Sequence, residues 1–260
     1  MITEGKFIDT NIAFDAVYQN RKRHHKALEF VSDFKSRQVK LSHRVILEIE
    51  EILAESFSLL AVKVRDYIKH LERARHGWNN LDAGERAKSL IEIEKMLSND
   101  KEIIKKNKVT FILNAFNNMA NALMNMSFEE IQEDLLYLAS DNGKNVMFRI
   151  ISLFPIVEYN RDIDDAMNLR KAIEEGAIRK FFNENGHGQD KEILSELIVI
   201  LAFGSKQELF SEIDFYTCDT DFVKIYNDYK KTECSTSEEA NHYKHLLTKT
   251  LSNLSITKAY

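Results

Sequence analysis

Phe215-Tyr216-Thr217-Cys218-Asp219-Thr220-Asp221-Phe222 is an apolar run that stops abruptly on carboxylates, and Phe7-Ile8-Asp9-Thr10-Asn11, near the other end of the chain, does the same. Each reads as a buried strand. In an open α/β sheet the carboxyl ends of parallel strands border the crevice where ligands sit. Two such strands bring Asp9 and Asp219 together across 210 positions of chain. Carboxylates gathered in one place repel one another unless something positive joins them, and hard divalent cations take oxygen ligands of this kind.

The rest of the composition sets limits on that reading. With 260 residues, 44% hydrophobic and 30% charged, the chain can bury a substantial core, and wholesale disorder is excluded. A net charge of -5 argues against a sequence-blind coat for DNA. It leaves room for basic faces around an acidic centre. No apolar run reaches membrane-spanning length and no apolar signal region opens the chain. Cys218 and Cys234 make neither a metal-ligand spacing nor a disulfide framework. A reducing cytoplasm is therefore the expected compartment.

A single proline, Pro155, and eight glycines point to a largely helical chain, because both residues are costly inside helices. Two stripes carry the three-or-four spacing of a buried helix face: Ile49, Ile52, Leu53, Phe57, Leu60, Ala61 and Val64, and Ile103, Ile104, Phe111, Ile112, Ala115, Phe116 and Met119.

Around the two end-words the pattern predicts a strand at 6–9, helix between 12 and 36, and a strand at 38–41. Ser42 is placed to cap the helix that carries Glu48. From 54 to 148 nearly everything reads as helix, with segments Val62–Arg75, Ala83–Leu97, Val109–Met126 and Phe128–Ser140. Breaks are expected at His76-Gly77, Ser98-Asn99-Asp100 and Asp141-Asn142-Gly143. Phe148–Val157 reads as helix or strand. A helix over 162–175, a glycine-bearing loop over 183–189 and an apolar helix opening at Asp190 precede the strand at 213–218. A helix near Asp221 and a helical tail over 232–260 close the chain, and no fifth strand is read. Strand and helix alternate at both ends, with a helical block between them, so the expected class is α/β with an all-helical insertion.

These residues resemble the PIN-domain nucleases, a family of metal-dependent enzymes that mostly cut RNA. The resemblance rests on four elements in the family's order. They are Asp9-Thr10-Asn11 after the first strand; Ser42-His43-Arg44-Val45-Ile46-Leu47-Glu48 after the second; Asp190-Lys191-Glu192-Ile193-Leu194 opening an apolar helix; and Thr217-Cys218-Asp219-Thr220-Asp221-Phe222 after the last strand. It implies a three-layer α/β/α domain with a short central parallel sheet, assembled here from 1–53 and 149–231, with 54–148 as a large helical insertion. It further implies Mg²⁺ or Mn²⁺ held by Asp9, Glu48, Asp190 and Asp219, with Asn11 and Thr217 orienting those carboxylates and Asp221 as a fifth acid or a helix cap. The implied activity is phosphodiester hydrolysis, on RNA or single-stranded DNA, in a toxin, defence or RNA-processing role.

That chemistry suits the residue set. Hydrolysis of a phosphodiester needs an activated water and relief of charge on the phosphate oxygens, both of which divalent cations supply. Taken singly, each acid has a plainer role. Asp9-Thr10-Asn11 is a turn signature, Glu48 sits among Glu50, Glu51 and Glu55 on a solvated face, and Asp190, Asp219 and Asp221 can each cap a helix.

Basic residues form three groups. Arg21, Lys22, Arg23 and Lys26 read as a solvated face or as a patch that positions phosphates at the mouth of the crevice. Lys63, Arg65, Lys69, Arg73 and Arg75, and then Lys101, Lys105, Lys106 and Lys108, lie in the insertion, where they either grip RNA or pair with acids. Tyr67 and Trp78 read as core, or as platforms for a base. His187, between two glycines, has no catalytic partner in sight, and Cys218, one residue from an acid, is a poor nucleophile. Asp219-Thr220-Asp221 also matches a haloacid-dehalogenase-like phosphohydrolase word, but that chemistry expects its nucleophile on the first strand. The alternative to a nuclease is a dormant scaffold that binds a partner protein, or a second copy of itself, through the insertion.

Overall fold

The computed structural model describes residues 2–34, 39–74, 77–175, 190–231 and 238–260. It divides into two compact units, Met1–Glu48 with Ile150–Tyr260, and Ile49–Arg149. The loop expected over 183–189, with His187, and also Cys234, lie outside the described residues.

The first unit holds five strands, β1 (Ile2–Ile8), β2 (Val39–Ser42), β3 (Ile156–Val157), β4 (Leu209–Thr217) and β5 (Leu254–Lys258). They form one parallel sheet in the order β3-β2-β1-β4-β5. The helices are α1 (Thr10–Val17), α2 (His24–Asp33), α3 (His43–Ala74), α4 (Ala83–Asn99), α5 (Lys101–Lys105), α6 (Val109–Asn125), α7 (Phe128–Leu153), α8 (Asp164–Glu175), α9 (Asp190–Phe203), α10 (Thr220–Lys231) and α11 (Glu238–Ser252). Among the described residues, no helix is long and apolar enough to cross a membrane.

A wholly parallel sheet needs apolar cover on both faces, and β4 shows how the sequence supplies it. Phe210, Ile213, Phe215 and Thr217 are buried. Phe215 meets Phe222 of α10, while Tyr216, pointing to the other face, meets Phe30 of α2. Helices therefore lie on both faces. The helix α9 is buried from Ile193 through Leu201, as expected of a helix apolar around its whole circumference. It packs on α8, α11 and β4. Gly204 ends it with φ at 75°, where a side chain would meet the Glu208 backbone oxygen at 2.7 Å, so the turn into β4 requires glycine.

The connections run from β1 to β2 in one direction and from β3 to β4 in the other. The sheet order therefore reverses between β1 and β4, which is where open α/β sheets place their ligands.

In the second unit the first stripe packs as expected, with Ile49, Leu53, Phe57, Leu60, Ala61 and Val64 buried on α3. The second stripe is split. The helix α5 ends at Lys105, Asn107 turns the chain with φ at 54°, and Ile104 is left exposed while Phe111, Ile112, Ala115, Phe116 and Met119 are buried on α6.

Four expectations are corrected. The segment expected from Val62 is part of α3, which runs unbroken from His43 to Ala74, and Arg75 and His76 lie outside the described residues. No break occurs at Asp141-Asn142-Gly143, because α7 continues to Leu153. There Gly143 fits against the Phe57 ring, where a Cβ would lie 2.8 Å from it. The tail is not helical to its end: α11 stops at Ser252 and β5 completes the sheet. The single helical region expected between 12 and 36 is also two helices, α1 and α2.

Candidate active site at the reversal of strand order

Asp9 follows the last residue of β1 and caps α1, its Oδ1 accepting from the Ile12 N–H at 2.8 Å. Its backbone N–H donates to Tyr216 O at 3.0 Å, which brings the ends of β1 and β4 together. Across that junction the Thr217 hydroxyl donates to Asp9 Oδ2 at 2.5 Å, and the Cys218 N–H donates to the same oxygen at 3.2 Å. The Asp9 carboxyl is 6% exposed.

Three donors favour the ionised form, yet burial outweighs them and the neighbouring charge of Glu48 adds to it. The Asp9 carboxyl is pushed up to about 6 from an ordinary 3.8. Glu48 comes from the second turn of α3 and lies half-buried, its Oε2 accepting from the Thr10 hydroxyl at 2.5 Å. Two acids from different strand-helix junctions are thus electrostatically coupled at the reversal point, each held by a threonine.

The other expected residues are arranged differently. Asp219 caps α10, its Oδ1 accepting from the N–H groups of Asp221 at 2.8 Å and Phe222 at 3.1 Å. Its own N–H donates to the Thr217 hydroxyl at 2.9 Å, so Thr217 links Asp9 and Asp219. Asp221 is exposed in the first turn of α10, so the cap is Asp219. Asp190 opens α9 and is half-buried. Asn11 is exposed on α1, and the threonine beside it makes the contact to Glu48. Among the described residues, no three His, Cys, Asp or Glu side chains gather closely enough to hold a metal ion, so the four acids do not form a single cage.

Glu196, which the sequence reading passed over, is buried at the end of β2. Its Oε2 accepts from the Arg44 N–H at 2.6 Å, it is hydrogen-bonded to Ser42, and burial raises its carboxyl. Arg44 in turn pairs with Glu192 at 2.7 Å, one helical turn away. Glu196 thus ties α9 to the first turn of α3. The available signal was an acid inside the apolar run Ile193–Leu201.

The basic run is split by its partners. Arg21 pairs with Asp15 Oδ1, and Tyr260 donates to Asp15 Oδ2 at 3.0 Å. Burial and the neighbouring Asp9 lower the acidity of the Cys218 thiol. Lys22, Arg23 and Lys26 are exposed.

In the insertion, three residues of the two basic stripes pair with acids of their own unit. Lys63 pairs with Asp100 and Glu102, and Lys106 and Lys108 pair with Glu55. Tyr67 donates to Asp100 at 2.8 Å, and the buried Trp78 donates its ring N–H to Met126 O at 3.0 Å.

Comparison with protein-family models, with curated proteins and with solved structures returned no match for this chain.

Proposed function

We propose that this protein is a PIN-like nuclease that hydrolyses phosphodiester bonds, in RNA foremost, with Mg²⁺ or Mn²⁺ as cofactor. The observation that carries the reading is the Asp9–Glu48 pair at the strand-order reversal, where burial and mutual repulsion already hold Asp9 near 6. A divalent cation relieves that repulsion. Mg²⁺ in phosphoryl chemistry is commonly bound by one or two carboxylates, with waters and substrate oxygens completing the shell. The pair therefore fits the cofactor without a cage of three acids. Asp9 and Glu48 would hold it, and it would supply charge neutralisation on the phosphate and activation of water.

The chain's own contribution is orientation and charge. Thr217 and the Cys218 N–H fix one oxygen of Asp9 and the Ile12 N–H fixes the other, so the carboxylate cannot rotate. Thr10 fixes Glu48. Asp219 is linked to Asp9 through Thr217, with its Oδ1 committed to the start of α10. Supporting bonds of this type matter in metal sites, where losing one costs about 10- to 100-fold in affinity or activity.

The test is cleavage of an end-labelled single-stranded RNA with Mg²⁺, Mn²⁺ or EDTA. Metal-dependent cutting is expected, reduced on the order of 100-fold or more in Asp9→Asn and Glu48→Gln. If both variants cut as fast as the parent, the site is elsewhere. A second reading, a dormant scaffold, is favoured by the fact that Asp9 and Asp219 each serve as a helix cap. On that reading the parent cuts with neither metal.

A further inference from the structure

We propose that α7 packs antiparallel against α7 of a second copy of this chain, forming a weak symmetric dimer along the stripe Tyr137, Asp141, Lys144 and Phe148. On α7 the buried residues Ile131, Leu135, Ala139 and Val146 lie on one side of the helix. The four residues of the stripe lie on the opposite side and all are exposed, Tyr137 at 66% and Phe148 at 73%. At about 100° per residue they fall within about 60° of the helix circumference. Singly exposed apolar side chains are ordinary. What distinguishes this stripe is its spacing and its charge.

Its steps of four, three and four residues are those of a coiled-coil seam. In a twofold pair, residue i of one copy meets residue j of the other, and j meets i. Positions 137 and 148 share their midpoint with 141 and 144, so one axis serves both pairs. Tyr137 then faces the second copy's Phe148, and Asp141 faces the second copy's Lys144, each contact being made twice. A parallel pair would instead set Asp141 against Asp141 and Lys144 against Lys144. It would also bring together the acidic first turns that carry Glu129 and Glu130. Like-charge repulsion therefore selects the antiparallel arrangement, and charged seam positions fix its register. Within its own helix Asp141 accepts from the Asn145 amide at 3.4 Å, a long contact that leaves the carboxylate at the surface. Aromatic side chains bury about 150–250 Å² each. Four of them give about 600–1,000 Å², the size of a reversible association rather than a permanent one.

Sedimentation equilibrium of the full chain across the micromolar range tests the pairing, and it requires nothing of the chemistry at Asp9. The average mass should rise from 30.3 kDa toward twice that value with concentration. Asp141→Lys alone and Lys144→Asp alone each set like charges opposite one another. Each should weaken the dimer on the order of tenfold or more. An equimolar mixture of the two single variants should form the mixed dimer, because the charges are again opposite. The double variant Asp141→Lys/Lys144→Asp should return to the affinity of the parent. A variant that merely damaged its own fold would gain nothing from mixing. A parent that stays monomeric throughout overturns the proposal. So does a dimer that both single variants keep, or a mixture of them that stays monomeric.

Discussion

Asp9 is a carboxyl whose surroundings work against its charge, and that has a measurable consequence for stability. Its folded value of about 6 lies above the 3.8 of an unfolded chain. Its contribution is therefore fully present below about pH 4 and is lost as the pH rises through about 6. Integrated over that window, the ionised protein forgoes about 3 kcal/mol. Urea unfolding of the parent and Asp9→Asn between pH 4 and 7.5 should show the variant gaining on the parent by about that amount. Parallel curves would mean that Asp9 is not held as described. The residue scale is also where the sequence said most. A strand that stops on Asp and another that stops on Thr-x-Asp placed Asp9 and Thr217 correctly at strand ends. Glu196 was harder to see, because its partners Ser42 and Arg44 lie more than 150 residues away.

At the scale of single elements, sequence pattern gave the helix stripes but misjudged where helices stop. Asp141-Asn142-Gly143 carries turn-forming residues, and turn propensity alone predicts a break there. Tertiary packing decides otherwise, since the glycine admits the buried Phe57 ring. Replacing Gly143 by Ala gains about 1 kcal/mol of helix propensity, against a clash that costs about 1–3 kcal/mol in a packed interior. Gly143→Ala should therefore lower stability in thermal unfolding, and Phe57→Leu in the same chain should recover part of the loss. A more stable single variant would show that α7 and α3 pack differently. The strand β5 escaped for a related reason. Leu254-Ser255-Ile256-Thr257 is too short to declare itself, and its pairing with Ile213–Thr217 of β4 is a long-range choice.

For the molecule as a whole, composition and alternation established an α/β unit interrupted by helices, and the structure divides the chain near those limits. What sequence left open was the order of the strands, because short parallel strands carry no signature of their neighbours. Order is what matters to the site, since it puts β1 beside β4. Under the proposed function, the folded chain binds a divalent cation that the unfolded chain does not, and stability rises with cation concentration. At ten times the dissociation constant the gain is about 1.4 kcal/mol. It should be present at pH 7.5, absent at pH 4.5 where Asp9 is protonated, and absent in Asp9→Asn. A thermal shift of equal size under all three conditions would place the cation elsewhere.

The hydrogen bond from Thr217 to Asp9 spans 208 positions of chain, and this separation sets a schedule for biosynthesis. At 5–20 residues per second, a ribosome that has made Asp9 needs on the order of 10 to 40 s to make Thr217. During that interval the first acid exists without the donors that orient it, and the growing chain has no assembled centre. Cleaving activity, on the proposed reading, begins only once the chain has been made through Thr217, so the messenger and ribosome that produce it are spared until then.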